Sequence, residues 1–100
     1  MKAVRIHAYG GQDQLTLEDA PKPQPGDNDV LVRVVATSVN PVDWKIREGY
    51  LKEMLPYHFP IILGWDVSGV VESVGKAVTQ FKPGDAVYSR PNILRDGTYA

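Results

Sequence analysis

Two runs decide the fold: Ser38 to Gly49, SVNPVDWKIREG, and Gly64 to Gly75, GWDVSGVVESVG. The first opens a helix. Asn40 is a strong N-cap because its side-chain oxygen accepts a backbone N–H. Pro41 suits the first helical position, and Asp43 complements the positive end of the helix dipole. Val42, Ile46 and Trp44 give this helix, Asn40 to Glu48, an apolar side, and Gly49 ends it. The second run is a tight turn at Gly64 leading into a buried strand, Trp65 to Val74, whose valines are interrupted by Gly69.

Outward from these runs the chain is strand and turn. Val30 to Val39, VLVRVVATSV, is β-branched and apolar on both faces apart from Arg33, which predicts a central strand. Met1 to Ala8 reads as a strand and Leu15 to Glu18 as a short return strand beyond the Gly10-Gly11 break. The proline-rich Pro21 to Gly26 is a rigid surface connector of polyproline type rather than a docking ligand, and Asp27 to Asp29 marks a turn. Tyr50 to Pro60 reads as a helical turn and a proline-punctuated loop. Phe81 to Asp85 is a turn, Ala86 to Ser89 a strand, and Pro91 to Thr98 a loop. Short strands, Gly/Pro turns and one or two short helices fit a mainly β, partly open barrel better than a parallel α/β sheet. Residues 1–100 form one domain.

Composition narrows the function classes. A net charge of -1 gives no electrostatic reason to expect nucleic acid or an anionic membrane as partner. Pro60, Gly64 and Asp66 interrupt the longest apolar stretch well short of the roughly 20 residues that span a bilayer. The first eleven residues lack a signal-peptide core, and no cysteine is present to form a disulfide or thiolate site, so the cytoplasm is the expected compartment. His7 and His58 are the only histidines and stand in no metal-ligand spacing. No G-x-G-x-x-G follows a strand.

At this separation the two runs resemble the catalytic half of the medium-chain dehydrogenase/reductase superfamily. In its zinc-dependent alcohol dehydrogenases a Cys stands where Asn40 is and a His-Glu pair where Trp65-Asp66 is. Both zinc ligands are thus replaced, and the resemblance moves to the zinc-free quinone oxidoreductase branch, whose N-terminal domain is a GroES-like barrel. The resemblance implies that the chain is the first third of an enzyme, an N-terminal fragment whose Rossmann nucleotide-binding domain lies beyond Ala100. It implies NADPH or NADH as cofactor, held mainly by that missing domain, no zinc, and a quinone or α,β-unsaturated carbonyl as substrate. A homo-oligomer is expected when full length. An enoyl thioester reductase and a non-enzymatic GroES-like binding or assembly module are the alternatives; the rigid, polar Pro21 to Asp29 stretch argues against the latter.

Four residues are the candidates for chemistry. Asn40 either caps the helix alone or also holds a nicotinamide ribose or substrate carbonyl through its amide. Asp43 completes the cap or faces the cleft as an acceptor. Lys45, where the resembled enzymes often carry Tyr, either contacts a phosphate or anionic carbonyl or is a solvated surface cation. Tyr50 lies one position from the catalytic tyrosine of enoyl thioester reductases and is a proton donor or a cleft-lining side chain. Asn40 and Tyr50 are thus the catalytic candidates, with Asn40, Asp43 and Lys45 against the cofactor. Met54, Leu55, Tyr57 and Phe59 to Leu63 line either a pocket wall or the core. A chain ending at Ala100 is expected to leave Gly97 to Ala100 as an unpaired strand stub and Trp44, Phe59 and Ile61 partly exposed.

Overall fold

A computed structural model describes residues 1–100. Six strands form two antiparallel sheets: β1 (Lys2–Ile6), β2 (Thr16–Asp19), β3 (Val30–Thr37), β4 (Ile61–Ile62), β5 (Val67–Val74) and β6 (Ala86–Ser89). One sheet has the order β2-β1-β4 and the other β3-β5-β6, and neither closes on the other. One α-helix, α1 (Pro41–Arg47), and a 3-10 turn at Gln12–Gln14 complete the elements. This is the mainly β, partly open architecture expected, and no helix is long and apolar enough to cross a membrane.

The helix begins and ends where its chemistry dictates. Asn40 holds extended backbone at the N-cap, Pro41 follows, and Gly49 takes φ +88° just beyond the last turn. Ile46 is buried to 1% exposure and packs with Ile6, Ile61, Leu63 and Trp65 in the main core, with Val42 against it. Each such aliphatic side chain contributes about 1.5–3 kcal/mol on burial. Trp44 points the other way and stays 42% exposed.

Three expectations are corrected. β3 is not central: it lies at the edge of its sheet, with β5 in the middle. Its one paired neighbour is β5, and Val35 is the extra residue of a bulge between Val34 and Ala36, left 69% exposed. An apolar run states that a face can be covered, not that a strand lies beyond it. Ile61 is buried rather than open, because the short β4 pairs with β1 at Ile6. The expected unpaired stub is hydrogen-bonded as well, at Gly97, Thr98 and Tyr99.

That last segment braces β1 against the run leaving β4, and its Thr98 hydroxyl reaches Asp66 and Thr37 at the end of the second sheet. Gly97 N–H donates to the Ile62 carbonyl, Thr98 N–H to Gly64, and Tyr99 N–H to Leu63, while Val4 N–H donates to Tyr99. The approach is so close that a Cβ on Gly97 would sit 2.2 Å from the Gly64 carbonyl oxygen. Gly64 itself takes φ +93°, and a Cβ there would meet the Tyr99 ring at 2.5 Å. Arg95 clamps the loop before it onto Asp29 with two N–H···O bonds of 3.1 and 2.8 Å. The Arg95 guanidinium, with the Gly26 N–H, holds the Asp29 carboxyl at about 2. Gly97→Ala should therefore destabilise the fold by about 1–3 kcal/mol or more, since the clash is with backbone. Urea unfolding checks this, and a stability matching wild type would show that the segment is not packed as described.

Candidate functional site

Three strand ends meet at one end of the β3-β5-β6 sheet. Thr37 closes β3, Val67 opens β5 opposite it, and Ser89 closes β6 opposite Val67. The residues flanking these ends, Thr37, Ser38, Asp66, Ser68, Tyr88 and Arg90, line an open cleft together with Ala36 and Val67. Antiparallel pairing brings them together although they lie far apart in the chain.

Asp66 is the hub. Its Oδ2 accepts from Ser38 Oγ at 2.6 Å and from Asn40 Nδ2. Its main-chain oxygen accepts from the hydroxyls of Thr37 and Thr98, each at 2.8 Å, and those hydroxyls lie 2.7 Å apart. The Ser38 hydroxyl, then the Asn40 amide, favour the ionised carboxyl and lower its pKa; Arg90 on the cleft wall acts in the same direction. Asp66 is thus an oriented carboxylate.

Asn40 is held from two sides. Its side-chain nitrogen is committed to Asp66, while its backbone N–H donates to Asp43 Oδ2 at 2.8 Å in a capping-box arrangement. Asp43 faces inward, 4% exposed, and Tyr99 OH donates to the same Oδ2 at 2.7 Å. Its Oδ1 is buried without a donor. Burial, then the Asp43 hydrogen bond, push the Tyr99 phenol well above its ordinary value.

The other two candidates lie elsewhere. Lys45 is exposed, with its Nζ 5.8 Å from the Trp44 ring centroid. Tyr50 is 69% exposed and meets Trp44 edge to face at 5.7 Å. No side-chain hydrogen bond links either residue to Asn40 or Asp66. Structure therefore joins Asn40 with Asp43 and groups Lys45 with Tyr50 on a separate, outward side of α1. Sequence reading missed Ser38, Thr37, Thr98 and Tyr99; the hydroxyls at 37 and 38, just before Asn40, were the available signal.

Zinc does not fit this site. The Trp65 side chain, where the resembled enzymes carry His, lies in the core at 3% exposure. It stacks on Tyr57 and donates its indole N–H to the Arg95 carbonyl at 3.3 Å, leaving no lone pair for a metal. Asp66 Oδ2 is occupied by Ser38 and Asn40, and no three His, Asp or Glu residues gather anywhere in the chain. A hydroxyl-bearing group such as a nicotinamide ribose does fit, because Asp66 Oδ1 carries no hydrogen bond and is left to accept one.

Tyr99→Phe removes a hydrogen bond to a buried carboxylate and should cost about 1.5–3 kcal/mol at neutral pH. Because burial and the Asp43 hydrogen bond raise the folded phenol above the ordinary tyrosine range, its contribution is full below about pH 10 and is lost as pH rises through the folded value. The wild-type advantage over Tyr99→Phe should shrink in alkali. Paired urea titrations at neutral and alkaline pH check this, and an unchanged or growing gap would contradict it.

A family model described as alcohol dehydrogenase GroES-like domain matches residues 26–99. The quinone oxidoreductase of Sus scrofa is 45% identical over 103 residues, covering 100% of this chain and 30% of that protein. The solved quinone oxidoreductase of Coxiella burnetii superposes with a TM-score of 0.92 at 33% identity, covering 99% of this chain and 32% of that one. The Escherichia coli quinone oxidoreductase, solved in complex with NADPH, gives a TM-score of 0.82 at 29% identity over 90% of this chain and 27% of that one. The chain thus spans under a third of the length of each. It belongs to the alcohol dehydrogenase GroES-like domain family.

Proposed function

We propose that the chain is the substrate-side domain of an NAD(P)H-dependent reductase that reduces quinones or α,β-unsaturated carbonyls without zinc. One observation carries the reading. The two positions where zinc-dependent relatives hold metal ligands are filled by Asn40, bonded to Asp66, and by Trp65, packed in the core. Similarity to quinone oxidoreductases, one of them solved with NADPH, supports the choice of substrate and cofactor.

When bound, the nicotinamide supplies the hydride. This chain's residues supply position and polarity. Asn40 and Ser38 fix the Asp66 carboxylate, and Thr37 and Thr98 fix its backbone, so the cleft presents a preset array rather than mobile side chains. The helix cap holds Asn40 at the cleft edge while Asp43 and Tyr99 brace it from inside.

The full-length protein should oxidise NADPH or NADH with 1,4-benzoquinone or an enone as acceptor, and dialysis against a chelator should leave turnover unchanged. Asn40→Ser keeps a good cap but loses the amide, so turnover should drop tenfold or more, about 1.4 kcal/mol in the barrier, while the thermal midpoint hardly moves. Chelator-sensitive turnover would overturn the zinc-free reading. Normal turnover in Asn40→Ser would remove Asn40 from the reaction.

A further inference from the structure

The geometry points to Asp66 as a ligand-binding residue: its Oδ1 accepts the hydrogen of an alcohol or phenol group seated between the ends of β3, β5 and β6. Every other acceptor of this residue is taken. Oδ2 receives Ser38 and Asn40, and the main-chain oxygen receives Thr37 and Thr98. The two side-chain bonds hold the carboxylate, the two main-chain bonds hold the backbone beneath it, and Oδ1 alone is left without a donor.

The chemistry of the ligand follows from the charge. Ser38 and Asn40 keep Asp66 ionised, and an ionised carboxylate accepts hydrogen bonds but donates none. The ligand must bring the hydrogen. An enolate or phenolate oxygen would be repelled at this distance, so Asp66 is no oxyanion stabiliser. Ser68 and Tyr88 stand on the same wall beside apolar Ala36 and Val67, and Arg90 offsets part of the negative charge. A neutral hydroxyl compound with an apolar body matches this lining.

The inference rests on the reductase reading, in which two molecules offer such a group: the ribose of the nicotinamide cofactor and the hydroquinone product. Losing one charge-assisted hydrogen bond weakens binding roughly tenfold to a hundredfold. The test uses the full-length protein with Asp66→Asn and Ser38→Ala. NADPH affinity is read by fluorescence titration and hydroquinone affinity by calorimetry. Asp66→Asn should raise one of these two dissociation constants by that factor, and the constant that moves identifies the source of the hydroxyl. Ser38→Ala, which keeps the carboxylate but frees it to turn, should raise the same constant by a smaller factor. If both constants stay within about twofold of wild type in a folded Asp66→Asn protein, the inference is overturned and the reductase reading stands. Should Asp66→Asn misfold, unchanged constants in Ser38→Ala overturn it equally. A wild-type protein that binds neither compound overturns the reductase reading itself.

Discussion

Four backbone hydrogen bonds around Gly97, Thr98 and Tyr99 brace β1 against the run that leads from β4 towards β5. They join β1, through Val4, to the segment Ile62 to Gly64 that leads into β5. β1 meets β4 at only two paired positions, and these bonds extend that contact along the Ile62 to Gly64 stretch. The arrangement needs a chain with no Cβ at Gly97 and left-handed backbone at Gly64, because the main chains approach within contact of each other. With 15 of 100 residues buried, the core is too small to impose such an approach by packing alone, so local stereochemistry must permit it.

The same segment organises the chemistry. Thr98 reaches the Asp66 carbonyl with its hydroxyl, and Tyr99 reaches the Asp43 carboxylate, which in turn grips the backbone of Asn40. Fold closure and site geometry therefore share residues. Shifting this segment would loosen Asn40 and Asp66 together, since each is braced by one of two consecutive side chains. The buried, donorless Oδ1 of Asp43 is the cost of that bracing: Oδ2 takes both donors and the second oxygen has none.

Much of this was legible in the sequence, and the remainder was not for physical reasons. The helix from Asn40 declared itself through cap, proline and acid in fixed order, all local effects within one turn. The strand after Gly64 and the turn at Phe81 to Asp85 were likewise written in short-range stereochemistry. The edge position of β3 was hidden, because alternation and β-branching report burial potential and not which strand lies alongside. The two-residue β4 was hidden too, being too short to show a period. Of the site, Asn40 was visible as a cap, but the Ser38–Asp66–Thr98 constellation joins residues up to 60 positions apart through sheet register. Trp65 was legible as volume, and it is buried in the main core.

The central claim is that residues 97–99 are a structural strap, and amide hydrogen exchange on the folded chain tests it most directly. The Gly97, Thr98 and Tyr99 amides donate to Ile62, Gly64 and Leu63, so they should exchange as slowly as the β1 amides they are tied to. Exchange at the rate of a free tail, with β1 still protected, would contradict the account.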